Sequence, residues 1–112
     1  MLEFVEVKNE AGDERVARLA EWIWRDYYGA ILGDGQIGYM LDKFQSAAAV
    51  GKQRSEGYRY FLVRDSGAPI GYFGAKPDGE NYFLSKLYLV KPARGKGVGK
   101  TCLSYIEELA RA

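Results

Sequence analysis

The sequence predicts an α/β (α+β) domain in the order β-α-α-β-β-β-α, and three observations carry that expectation. Two segments in the first half place apolar residues at i, i+3, i+4 and i+7, the signature of helices with one buried face. Three runs rich in aromatic and branched residues follow, separated by short clusters of Asp, Ser, Gly and Pro of the kind that close hairpins. The last of these runs enters a basic, glycine-rich turn and then a helical pattern.

Taken in order, Leu2 to Lys8 alternates apolar Leu2, Phe4 and Val5 with Glu3 and Glu6 and reads as the first strand. Gly12-Asp13 supplies a turn and a helix cap. Val16, Leu19, Ala20, Ile23, Trp24, Tyr27 and Tyr28 then form one helical stripe, which Gly29 ends. Ala30 to Gly33 is an apolar connection. Asp34 is placed to cap a second helix with Ile37, Met40, Leu41, Phe44 and Ala48 on its inner face, and Ala47 to Glu56 reads as that helix's end and a polar loop. Tyr58–Arg64, Pro69–Lys76 and Asn81–Val90 are the next three strands, joined by turns at Asp65-Ser66-Gly67 and Pro77-Asp78-Gly79. No internal repeat, low-complexity run or linker interrupts this order, so the 112 residues read as one domain.

Composition narrows the chemistry. With 47% apolar and 14% aromatic residues the chain can bury a modest core. No apolar run approaches the roughly 20 residues that span a bilayer, and no signal-peptide pattern is present, which points to a cytoplasmic protein without a membrane partner. The single Cys102 fits a reducing compartment, and its helical position makes it a small core residue rather than a nucleophile. The absence of histidine removes Ser-His and Cys-His nucleophiles and argues against a zinc site, leaving carboxylate, tyrosine or water as general base. A net charge of +1 with scattered basic residues argues against nucleic acid.

The charge is not evenly spread. Residues 81–106 hold Lys86, Lys91, Arg94, Lys96 and Lys100 with no carboxylate, which leaves the remainder at −4. Four of these five lie in the turn Lys91-Pro92-Ala93-Arg94-Gly95-Lys96-Gly97-Val98-Gly99-Lys100. Glycines admit backbone close to a ligand, and the first N–H groups of a helix lack internal partners and sit at its positive end. The turn is therefore an anion cradle, and a phosphate-bearing ligand suits it. Gly99-Lys100-Thr101 matches the end of a Walker A loop, but the first glycine of that pattern falls on Arg94, and the eleven residues after Thr101 hold no strand for a Walker B carboxylate.

Arg94, Gly97 and Gly99 also fill the pattern Arg-x-x-Gly-x-Gly/Ala, preceded by Leu87-Tyr88-Leu89. This strand, loop and helix resemble the acetyl-CoA site of the GNAT N-acetyltransferases. The proline often found three residues before the Arg stands two before it, at Pro92. Tyr27 to Gly33, Gln36 to Leu41 and Leu84 to Leu89 look like a bacterial branch of that superfamily. The resemblance runs over essentially the whole chain and corresponds to the amino-terminal two-thirds of the GNAT fold. It implies a mostly antiparallel sheet that continues, in a complete member, into carboxy-terminal strands and a helix.

The resemblance also implies roles. The fourth strand would be bulged and splayed near its end, with backbone groups of Leu87, Tyr88 and Leu89 pairing with the pantetheine arm. Arg94, Gly95, Lys96, Gly97, Val98, Gly99 and Lys100 would hold the pyrophosphate. Tyr27, Tyr28, Ile31 and Asp34, beside the first two helices, would line the acceptor pocket, and nine acids against four bases in residues 1–42 favour a cationic amine. The general base is unassigned, with Glu80 and Ser85 as candidates, and no metal is implied. The expected activity is acetyl transfer from acetyl-CoA to a primary amine by direct attack in a ternary complex. The alternative is a non-catalytic CoA-binding fragment, or half of a split protein. An open strand edge and apolar surface near Leu87, Leu89, Ile106 and Leu109 would then favour self-association or a complementary chain.

Overall fold

The computed structural model describes residues 2–28, 31–78, 81–95 and 97–111, without the side chains of Asp34, Phe44, Asp78, residues 81–85, Lys91, Ala110 and Arg111. Four strands, β1 (Leu2–Glu6), β2 (Arg59–Asp65), β3 (Ala68–Asp78) and β4 (Asn81–Leu89), form one antiparallel sheet in sequence order. Alternation along each strand divides the sheet into two apolar faces. Tyr60, Leu62 and Tyr72 join the core under helices α1 (Glu10–Tyr28), α2 (Asp34–Phe44) and α3 (Ala47–Ser55). Phe61, Val63 and Phe73 join Val98, Cys102 and Ile106 of helix α4 (Val98–Arg111) on the other face. The result is a helix–sheet–helix sandwich with an aromatic second face, in which Phe61 stacks on Phe73 at 5.0 Å and Phe4 stacks on Tyr105 at 4.4 Å.

The hairpin between β2 and β3 closes as expected. Ser66 (φ 53°) and Gly67 (φ 87°) are the two left-handed residues of a tight turn whose twist matches the strands. The second hairpin is tighter than expected: Pro77 and Asp78 belong to β3, and Asp78 pairs with Asn81, leaving 79 and 80 as the connection outside the described residues. Gly29, expected to end α1, also lies outside them; the described helix runs to Tyr28.

Four local expectations are corrected. Asp13 is not a helix cap. Asn9 holds that place, its side chain accepting from Gly12 N at 3.0 Å, and Asp13 lies buried inside α1. Nor is Asp34 the cap of α2: Gly33 occupies that position, and the helix begins at Asp34, whose side chain lies outside those described. Residues 47–55 form a separate helix, α3, capped by Ser46, whose hydroxyl accepts from Ala49 N at 3.1 Å. Its buried residue is Val50, whereas Ala48 is exposed. Finally, the apolar surface expected near Ile106 is largely covered. Ile106 is 5% exposed, and Leu87, Leu89 and Leu109 are half-buried against the same core.

One ion pair ties α3 to α1. Arg54 donates through Nε and Nη2 to the two carboxylate oxygens of Asp13, at 2.7 and 2.8 Å. A second fork, Arg59 on Glu6 at 2.7 and 2.9 Å, joins β2 to β1. The Arg59 guanidinium holds the Glu6 carboxyl below the usual carboxylate range by donating hydrogen bonds to it.

Candidate functional site

β4 sets the site. Val90 N donates to Ile70 O at 2.8 Å, so by the two-residue period of an antiparallel ladder Tyr88 and Lys86 turn their backbone groups to β3. Leu87 and Leu89 turn theirs outward, to the edge of the described sheet. The strand carries a bulge: Gly74 opposes Lys86 and Ala75 opposes Leu84, so Ser85 is the extra residue. The expected bulge is thus present, but mid-strand rather than near the strand's end.

Beyond β4, a 3₁₀ turn at Lys91–Ala93 leads to Gly95 and Gly97, both at φ 77°. That left-handed backbone strains any residue with a Cβ, which explains glycine at both positions. A Cβ added at either would meet no atom within 4 Å, so the turn presents bare backbone to open space. Among the described residues, the first bond into α4 runs from Thr101 N to Gly97 O at 3.1 Å. The N–H groups of Val98, Gly99 and Lys100 therefore precede the helical ladder and point out of the helix's positive end. The Val98 side chain is buried, anchoring this end to the core, while Lys100 is exposed.

Arg94 does not point at this opening. Its Nε donates to Leu89 O at 3.0 Å, Nη2 reaches Asp26 Oδ2 at 3.4 Å, and the guanidinium lies 3.6 Å from the Tyr27 ring centroid. It fastens the turn to the strand and to the end of α1, with a cation–π contact as part of the grip. The Arg of the loop pattern thus shapes the turn, and the positive charge facing its open side is left to the helix end and Lys100.

The remaining sequence-level candidates are dispersed. Tyr28 packs on Trp24, Tyr27 lies under Arg94, and Ile31 is 77% exposed. Glu80 and Lys96, and the side chains of Asp34 and Ser85, lie outside the described residues. The Cys102 thiol is buried, and burial pushes it up to about 11, so it stays protonated and inert at neutral pH, as a core residue should.

The sequence reading passed over Lys86. It lies next to the bulge and faces the α1–α3 side, where Gln53 of α3 accepts from its Nζ at 3.4 Å and the Tyr60 ring lies 5.5 Å away. Tyr60 OH donates to the same Gln53 oxygen. Burial pushes the Lys86 ammonium down to about 8. Such an amine exchanges protons in the range where an acceptor amine must lose its own. The unfolded chain binds this proton up to about 10.5 and the folded chain up to about 8, so Lys86 weakens folding below pH 8, and the penalty fades between the two values. Lys86→Met is expected to raise stability at pH 7 by about 1 kcal/mol, after discounting for residual solvent, with the gain shrinking from pH 8 to 10. Thermal melts across that range would refute this if the gain were pH-independent.

The acetyltransferase (GNAT) family model matches residues 16–112. The chain belongs to this family. Among solved structures, the fold of this GNAT domain is similar to that of PaiA N-acetyltransferase from Thermoplasma acidophilum, crystallised with coenzyme A. The TM-score is 0.80 at 19% identity, over 99% of this chain and 72% of that one. A GNAT acetyltransferase from Staphylococcus aureus Mu50 matches at TM-score 0.69 and 15% identity, over 99% and 67%. An aminoglycoside 6′-N-acetyltransferase complexed with coenzyme A matches at 0.63 and 16%, over 99% and 55%. No curated protein matches the chain.

Proposed function

We propose that this GNAT domain, a single unit over residues 1–112, binds acetyl-CoA and transfers its acetyl group to a primary amine of a small molecule or protein. The observation that carries the reading is the pair of left-handed glycines facing open space in front of three helix-start N–H groups. That is backbone shaped for a pyrophosphate. Residues 95–100 hold the diphosphate, with Lys100 adding charge and Arg94 bracing the turn through Leu89 O and Asp26. The outward backbone groups of Leu87 and Leu89 take the amide groups of the pantetheine arm as an added strand would. Among these, Leu89 O already accepts from Arg94, so Leu87 N–H and C=O and Leu89 N–H do that work.

The thioester supplies an acyl group activated for attack by an amine. The C–N bond forms as the thioester C–S bond breaks, and the departing coenzyme A thiolate takes up a proton. The protein's part is to position the thioester along β4, to polarise its carbonyl with a backbone N–H, and to accept the amine's proton. Attack is direct, with both substrates bound: the buried, protonated Cys102 gives no ready acyl carrier. A cytoplasmic setting is consistent with that reduced thiol. The fit of the turn to a phosphate chain is the support for acetyl-CoA. The family and the coenzyme A complexes described among the similar structures add to it.

Titration calorimetry with acetyl-CoA tests this. We expect saturable binding, no binding of ATP–Mg²⁺, and at least a thirtyfold loss in Gly97→Trp, whose side chain would fill the open space. Because φ 77° strains that variant by roughly 1 kcal/mol, Lys100→Glu serves as an unstrained second, expected to lose about tenfold. Unchanged affinity in both would overturn the cradle. Tight binding without thiol release across an amine panel would make the chain a coenzyme A binder rather than an enzyme.

A further inference from the structure

A second cavity lies on the face of the sheet opposite α4, between α1 and the strands. Its volume is about 440 Å³, within the range of small-ligand sites. Arg15, Arg18 and Trp22 project into it from α1 at i, i+3 and i+7, so one helical stripe supplies all three. Arg64 enters from β2, held in place by donating through Nε and Nη2 to Gly67 O at 3.3 and 3.1 Å. Leu19 and Leu62 form an apolar floor.

The charge arrangement is lopsided. Three guanidinium groups share the cavity, and no carboxylate is among its lining residues. The nearby acid Glu21 engages Arg25, one turn beyond Trp22, at 3.4 Å. Glu3 stands opposite Arg64 across β1 and β2 but does not line the cavity, and an anion that enters relieves the repulsion among the three guanidinium groups while accepting forked hydrogen bonds. Trp22 is 65% exposed, an unusual setting for an indole unless something flat covers it.

We propose that this groove binds an organic anion with a planar apolar body, its carboxylate or phosphate held by Arg15, Arg18 and Arg64 and its ring laid on Trp22. The inference is independent of the acetyl-CoA reading, since no residue of the glycine turn lines the groove; Trp22 alone also borders Pro92, at the start of that turn. Bidentate guanidinium contacts set the head-group preference, and the indole and the leucine floor select against a bare inorganic ion.

The test titrates the chain with 1-naphthyl phosphate and 1-naphthoate by calorimetry, alongside 1-naphthol and inorganic phosphate. One saturable site is expected for at least one naphthyl anion, and which of the two binds more tightly tells phosphate ester from carboxylate. Naphthol and inorganic phosphate should each bind at least tenfold more weakly. Arg15→Ala/Arg18→Ala, two exposed positions that the fold tolerates, should cost at least tenfold, and Trp22→Leu several-fold. Gly97→Trp should leave the affinity unchanged. The proposal fails if neither naphthyl anion saturates, if the double arginine variant binds as well as the parent, or if naphthol binds equally. It also fails if the loss follows Gly97→Trp instead, which would put the anion in the glycine turn.

Discussion

Gly71→Ala is expected to destabilise the protein by about 3 kcal/mol and to weaken acetyl-CoA binding with it. A Cβ at position 71 would stand 2.4 Å from Tyr88 O, 2.6 Å from Leu89 Cδ2 and 3.2 Å from Leu89 Cα. The first and third of these are backbone atoms, held by the ladder in which Val90 N bonds Ile70 O at 2.8 Å, so no rotamer change relieves the contact. The strands must part or β4 must shift in register. Alanine's smaller loss of unfolded-chain entropy returns less than 1 kcal/mol. Gly38→Ala is the control: no atom lies within 4 Å of its Cβ, and in the middle of α2 the change should stabilise slightly. Urea denaturation of both variants decides the matter, and a Gly71→Ala loss under 0.5 kcal/mol would mean that the sheet yields where we hold it rigid. The binding effect follows because Leu89 carries the outward N–H assigned to the pantetheine arm.

The same close approach shows what the sequence could and could not disclose. The strands were legible because aromatic and branched runs between turn residues have few other uses, and α1 because seven apolar residues keep one helical phase. The left-handed glycine turn before α4 was legible because the glycine spacing is itself the geometric requirement. The role of Arg94 was not. Motif spacing places an arginine beside phosphates, but its actual partners, Leu89 O, Asp26 and Tyr27, belong to a strand and a helix far away in sequence. Lys86 escaped for a similar reason: a lysine in a strand reads as solvent-facing until a helix is laid over it. That helix, α3, was itself misread, since its one fully buried side chain is Val50 and a single residue makes no period. The groove beside Trp22 was hidden because Arg64, which completes it, reaches α1 only through the folding of the sheet.

Breaking the tether that holds α3 should have the other large effect. With one buried valine to dock it, α3 depends on the fork between Arg54 and Asp13, at 2.7 and 2.8 Å. The Asp13 side chain is 3% exposed, so Arg54→Met leaves a carboxylate with neither water nor partner and is expected to cost 3–5 kcal/mol. Asp13→Ala/Arg54→Met, which removes both charges, should recover most of that loss, because the larger part is the uncompensated charge rather than the pair's net contribution. A double variant no more stable than Arg54→Met would show instead that the pair itself holds the helix. A second readout separates loosening of α3 from global destabilisation. Gln53 of α3 accepts from both Tyr60 OH and Lys86 Nζ, and the low proton affinity of Lys86 comes from burial, to which α3 contributes by this contact. If α3 lifts in Arg54→Met while the sheet persists, the Lys86 amine should titrate well above 8, back toward ordinary lysine. NMR titration of the lysine side chains would follow it. A Lys86 that still titrates near 8 in the variant would mean that the sheet alone keeps the amine dry, and that α3 contributes stability without setting the surroundings of Lys86.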